Sequence, residues 1–459
     1  MSSLFSNISK SRRLKAQSEA LEVFGTLSTM SLPTLFFKVG ILILLFENWF
    51  EVPYHALALT PYSTRSIIGV HLWPSQIWFL FLGTSIAIAD FFKNNFRIPA
   101  FIFNNAIPIV IVLAVYTVWS IYGFFAGNGG AIVLFREMVV SGLSFPALVY
   151  LARHIDVQDI FDPFIKWSVI ISTVIAVNIL ANKFVYFLPG AENGLLFLST
   201  FAYSYFIFKA IKSTLYIIPA IMAVLPTLIY LNKPLLALTL FMLGAIAIIS
   251  TIITKKIKKY SISKRSLKIS ATIFLILVML FSGIWYLNTI LDGRIDRAFR
   301  ENIIKVRVTE TGSVYLGDLS GGRMIIWGNA IKLWKEKPIF GNGMGTAVPI
   351  RNETIYQIHN YYLQALMDTG LVGLSVLAIC WLLWYLRVFR TIRLYTWNKE
   401  KTIYASLLTF VVAIFFYALY GLPLVYLSVA QFFWVLVALL TVMPAPVLPE
   451  PKPNADRTN

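Results

Sequence analysis

Residues 320–373 read SGGRMIIWGNAIKLWKEKPIFGNGMGTAVPIRNETIYQIHNYYLQALMDTGLVG. They join a long polar segment to the apolar run that follows, and they carry Arg323, Arg351 and His359 in a chain that is otherwise mostly apolar. Ser320 is placed to cap an amphipathic helix in which Met324, Trp327, Ile331 and Trp334 share a stripe, with Arg323 on the companion face. Pro338 ends that helix, and FGNGMG is a run that tight backbone turns explain. It is no nucleotide loop: the glycines stand at 341, 343 and 345, with no strand before them and no Lys-Ser/Thr pair after. A second helix is expected from about 353 to 369, broken by Gly370 and carrying His359.

Outside this stretch the chain reads as membrane. Hydrophobic residues make up 58% of it and charged residues 13%, at a mean hydropathy of +0.74. No soluble core needs that proportion, whereas a lipid-facing surface does. Apolar spans of bilayer-crossing length run roughly 33–50, 74–92, 98–124, 129–152, 164–182, 194–211, 213–231, 234–254, 269–289, 371–389, 402–420 and 423–442. They are too long and too continuously apolar for barrel strands. The expected fold is therefore an all-α polytopic membrane protein of about twelve spans. Its segments are a cytoplasmic N-terminus (1–32), spans one to nine (33–289), one large extracytoplasmic loop (290–370), spans ten to twelve (371–442) and a Pro-rich cytoplasmic tail (443–459).

Basic residues set the orientation. Inner segments hold Lys10, Arg12, Arg13 and Lys15, then a dense cluster from Lys255 to Lys268, then Arg387, Arg390, Arg393, Lys399 and Lys401. The short outer loops hold only Arg65, Lys183 and Lys233, so both termini are expected in the cytoplasm. The net charge of +18 is then a property of the membrane flanks rather than a nucleic-acid footprint. The loop at 290–370 is the exception. It is basic, from Arg294 to Arg351, and long loops translocate regardless of charge. Such a loop offers cations to an anionic partner on the outer face.

Several chemistries are disfavoured. The single Cys380 lies within a span and makes no disulfide framework or thiolate metal site. His55, His71, His154 and His359 lack ligand spacing, and no outer Asp-x-Asp pair appears, so no metal and no cofactor are expected. The polar N-terminus, basic through Lys15, does not read as a cleavable signal peptide. A secondary transporter would place polar residues at the bilayer midplane in broken, repeated helices. Here most of them lie in one asymmetric outer loop. Arg136, in LFREMVV of the fourth span, costs roughly 2.5–3.5 kcal/mol to insert at mid-span, so it either pairs with Glu137 or Glu47 or contacts substrate. His359 can titrate near neutral pH and take a proton from a hydroxyl, or it can sit in a headgroup belt with Tyr361 and Tyr362.

The pattern HN-x9-G-x-x-G at 359–373, after SGGR-x3-W-x2-A and P-x-FGNG-x-G, resembles the signature region of the bacterial O-antigen ligase and polymerase family. The resemblance implies glycosyl transfer on the periplasmic face of the inner membrane. The donor would be a glycan on undecaprenyl pyrophosphate, and the acceptor a sugar hydroxyl of lipid A-core or of another lipid-linked glycan. It implies that His359 activates the acceptor and that Arg323 holds the pyrophosphate. Arg136, Arg351, Lys183 and Asn360 complete the expected substrate-binding set. No arginine stands near Lys183 in PGAEN and its surroundings, which departs from the family's usual pattern. A ligase is favoured by the single compact loop. A polymerase shares the motifs, and a protein O-oligosaccharyltransferase would more often carry a longer outer domain.

Overall fold

The computed structural model describes residues 31–49, 75, 77–94, 100–131, 135–153, 155–161, 165, 169–170, 202–209, 214–216, 218–223, 306–308, 314–316, 323–350, 353–355, 358–394, 399–419 and 427–443. Helix dominates them. α1 (Leu32–Trp49), α2 (Gly83–Asn94, entered through a π turn at Ile77–Leu82) and α3 (Ala100–Phe125) fall on the first three expected spans. The fourth is interrupted rather than continuous. Phe135–Val140 is π-helical, Ser141–Leu143 is a single turn, and α4 (Phe145–Ala152) starts behind Ser144. Pro146 explains the restart, since proline supplies no N–H to a helical ladder and is tolerated only in a first turn. Expected spans at 234–254 and 269–289 lie outside the described residues, as do Arg294 and both tails; those from 164 to 231 are described only in pieces.

The loop and the last spans carry the site. α5 (Arg323–Glu336) is the expected amphipathic helix, ending two residues before Pro338. Its buried side differs from the stripe read in the sequence. Ala330 is fully buried with Ile326, Trp327 and Leu333 beside it, while Ile331 faces out. α6 runs from Tyr361 to Leu394, α7 from Lys399 to Tyr417 and α8 from Leu427 to Thr441.

Two expectations are corrected. No helix spans 353–369. Instead β3 (Val348–Ile350) pairs antiparallel with β4 (Glu353–Ile355), and the helix begins only at Tyr361. Thr354 and Ile355 are β-branched and suit a strand, and Asn360 supplies the cap that fixes the later start. An earlier short ribbon, β1 (Val306–Val308) with β2 (Val314–Leu316), stands beside a fold that is helical as expected. Gly370 does break the helix locally, with φ 66° and ψ −169°, yet the ladder resumes, so the expected loop helix and tenth span form one kinked element.

α6 packs on α3 and α5, and α8 packs on α1, α4 and α7. An aromatic cluster joins the last three helices, with Trp381 5.0 Å from Phe415 and 5.5 Å from Phe433 between ring centroids. Trp384 donates to Thr441 Oγ1 at 2.9 Å within it. Two helices, Ile102–Phe125 and Tyr361–Leu394, are long and apolar enough to cross a bilayer. The shorter has 24 residues, about 36 Å of helix against a hydrocarbon core of about 30 Å. Only 44% and 33% of their apolar windows are buried in protein, unlike core helices, and Phe103, Val118, Phe124, Ile379 and Leu382 face outward. Those faces are consistent with contact to lipid.

Candidate active site

The glycine run is a docking turn. Gly341, Gly343 and Gly345 have φ of 72°, 86° and 75°, the left-handed region that β-carbons disfavour. At Gly343 a Cβ would also lie 2.7 Å from Gly123 Cα on α3, and at Gly345 it would run into the backbone of Gly130 and Ala131. The turn therefore lies backbone to backbone against the end of α3. Met344 N–H donates to Trp119 O at 3.0 Å, and Trp119 Nε1 donates to Phe340 O at 2.7 Å. Asn128, just past α3, turns its Nδ2 to Asn342 O, Met344 O and Thr346 Oγ1 at 3.0–3.2 Å. On the other side, Asn342 and Gly343 N–H groups donate to the carbonyls of Met367 and Asp368 on α6.

His359 sits where hairpin becomes helix. It is partly exposed and, among the described residues, alone of the non-glycines in having positive φ, at 53°. That conformation costs an L-residue roughly 1–2 kcal/mol, and such strain persists where neighbours over-determine it. Ile358, before it, is fully buried. The Ile358 carbonyl accepts from Trp327 Nε1 of α5 at 2.9 Å, and its N–H donates to Gln364 Oε1 of α6 at 3.2 Å. After it, Asn360 Oδ1 accepts from Leu363 N–H at 3.0 Å, and Tyr361 N–H donates to Ala418 O at 2.8 Å.

Behind Gln364 lies Asp368, 1% exposed. Gln364 Nε2 donates to Asp368 Oδ2 at 2.8 Å. The backbone N–H groups of Gly345 and Thr346 face the same carboxylate, although Oδ1 lacks a hydrogen bond of good geometry. The carboxylate thus touches both the docking turn and the residue that holds Ile358. Beside the His359 turn, Tyr361, Tyr362, Leu377, Trp381, Tyr385 and Phe415 line an almost wholly apolar groove of about 420 Å³ between α6 and α7.

Of the residues singled out in the sequence, His359 and Asn360 fall together at this turn. Arg323 is the first residue of α5, the helix that also delivers Trp327, and Arg136 falls in the π segment; the backbone is what is described for both. Arg351 and Lys183 lie outside the described residues. Asn360 uses its side-chain oxygen as a helix cap, a role the motif does not announce. Trp119, Asn128, Gln364 and Asp368 are not singled out by the sequence motifs. Gln364 and Asp368 do leave a signal, two polar residues four apart at the mouth of an apolar helix. Among the described residues, no three His, Cys, Asp or Glu side chains gather as a metal site requires.

A histidine held at the head of an apolar helix, with a basic loop before it, can remove a proton from a hydroxyl brought to the membrane edge. No curated protein matches the chain. Residues 194–378 match the family model described as O-antigen ligase, an interval that takes in α5, the glycine turn, the hairpin, His359 and the first half of α6. That match supports the O-antigen ligase family for this stretch of the chain, a family of glycosyltransferase-like enzymes of lipid-linked glycans.

Proposed function

We propose that this protein moves a glycan from undecaprenyl pyrophosphate to a sugar hydroxyl of lipid A-core, on the periplasmic face of a bacterial inner membrane. In this reading both termini are cytoplasmic and 290–370 is the catalytic loop. The observation that carries it is His359, held in a strained, partly exposed turn at the start of a candidate span, within the family domain. The imidazole takes the acceptor proton as the acceptor oxygen attacks the anomeric carbon. The bond from that carbon to the pyrophosphate oxygen breaks, and its electron pair leaves with the lipid pyrophosphate.

Arg323, Arg136 and Arg351, with Lys183, are assigned to that departing charge. A guanidinium binds phosphate oxygens bidentately and keeps its charge at any working pH. Asn360, its oxygen engaged in the cap, contributes to substrate through its Nδ2. The apolar groove beside Tyr361 supports a lipid-borne substrate at this end of α6. Transfer is assigned to protein side chains, with no metal or cofactor. The test is purified protein with undecaprenyl-pyrophosphate glycan, lipid A-core and chelator. A positioned base contributes roughly 10²- to 10⁴-fold, so His359→Ala should lose most turnover while membrane level and donor binding persist. His359→Gln should not restore it, because an amide accepts no proton at neutral pH. Turnover of His359→Gln near the wild-type rate would remove the base assignment. Product that grows by repeats on the lipid carrier, rather than appearing on lipid A-core, would mark a polymerase.

A further inference from the structure

We infer that Trp327 and Gln364, with Asp368 behind Gln364, form a clamp on the peptide before His359 and act as positioning residues for the proposed base. The inference rests on that reading of His359 and deepens it. Trp327 Nε1 occupies the Ile358 carbonyl at 2.9 Å, and Gln364 Oε1 takes the Ile358 N–H at 3.2 Å. One residue's backbone is thus held at both its polar atoms, by side chains from two different helices. On the far side, Tyr361 N–H is tied to Ala418 O, beyond the end of α7. His359 is left between two fixed points with a positive φ that its own chemistry does not favour. Release of either point lets residue 359 relax toward ordinary backbone and carries the imidazole away with it.

The clamp has a direction. An amide side chain accepts at oxygen and donates at nitrogen, and a flipped Gln364 would set its NH₂ against the Ile358 N–H. Asp368 opposes the flip, since its carboxyl Oδ2 accepts from Gln364 Nε2 at 2.8 Å. Gln364 and Asp368 are 3% and 1% exposed near the start of a helix whose other charged residues, Arg387, Arg390 and Arg393, stand at its far end. Packing alone would be met better by leucine, because buried polar groups cost free energy unless they are paired. Their pairing is directed at the backbone of residue 358 and, through the Gly345 and Thr346 amides, at the docking turn. The clamp therefore links the seat of the glycine turn to the set of the histidine.

The experiment uses the full chain with undecaprenyl-pyrophosphate glycan and lipid A-core, with kcat and both KM values measured per folded enzyme. Trp327→Phe keeps the ring and loses the donor; Gln364→Leu keeps the bulk and loses both bonds. Each should lower kcat about tenfold to hundredfold, the scale of a small misplacement of a reacting group, with both KM values within about twofold. Gln364→Glu should fall likewise, as it removes the Nε2 donor that Asp368 Oδ2 accepts and sets a second acid beside it. Gln364→Glu combined with Asp368→Asn reverses the relay, with Asn donating to Glu, and should recover most of the rate. Hydrogen exchange of the 358–361 amides should quicken in the slow variants and slow again in the double variant. Unchanged kcat in both Trp327→Phe and Gln364→Leu overturns the clamp, as does a loss confined to KM or a folded double variant without recovery. His359→Ala runs alongside. If it is inactive while the clamp variants turn over normally, only the clamp falls; if it stays active, the base reading falls and takes the clamp with it.

Discussion

His359 holds a conformation that glycine would hold without strain, and a residue placed so trades stability for something else. His359→Gly should accordingly be more stable than His359→Ala by roughly 1 kcal/mol, because the left-handed penalty of a β-carbon disappears. Thermal unfolding in detergent measures this, and both variants should lack transfer. A midpoint for His359→Gly at or below that of His359→Ala would mean the turn carries no strain. Arg323→Lys keeps a positive charge at the head of α5 but loses the planar fork, so transfer should drop well below wild type with insertion intact. Equal rates would show that the position needs charge alone. At this scale the sequence discloses chemistry better than conformation. Histidine's proton affinity belongs to the side chain and can be read from one letter. Its left-handed backbone is imposed by Trp327 and Gln364, whose bonds to Ile358 no local pattern announces.

The element that decides the site is the turn at 340–346, and its partner is α3. Gly343 and Gly123 meet without side chains between them, so Gly343→Ala and Gly123→Ala should each cost on the order of 1–3 kcal/mol, the range of an overpacked contact. Asn128 should be as sensitive. Asn128→Asp keeps the size but loses the Nδ2 donor that faces three acceptors of the turn, and should destabilise the protein by about 1–3 kcal/mol. Unfolding midpoints equal to wild type would show the turn to be seated by other contacts. The turn itself is legible in the sequence, because three alternate glycines soon after a proline favour tight backbone turns over any regular element. Its seat is not, since 214 residues separate Asn128 from Asn342. The helix expected over 353–369 fails for a related reason. Apolar residues there satisfy a helical period, while β-branched Thr354 and Ile355 and the capping Asn360 divide the segment into hairpin, turn and helix.

At the scale of the molecule, and among the described residues, hydropathy locates helices far better than it locates their ends. α1, α3, α7 and α8 fall within a few residues of the runs expected, because burying or lipid-facing an apolar run leaves helix as the form that satisfies its backbone. Orientation rests on the charge asymmetry and is open to labelling. In a Cys380→Ser background, cysteines at Lys258 and Arg390 should react only from the cytoplasmic side and one at Lys332 only from outside. Outward reaction at position 258 would invert the arrangement.

The glycine turn has a consequence for heredity as much as for folding. Trp119, Asn128 and Gly130, which seat it, all precede residue 194, where the match to the family begins. The recognisable domain is therefore not a transplantable one. A graft of residues 194–378 into a distant relative would bring the histidine and leave its dock behind, and recombination that respects function should exchange 119–131 together with 340–346.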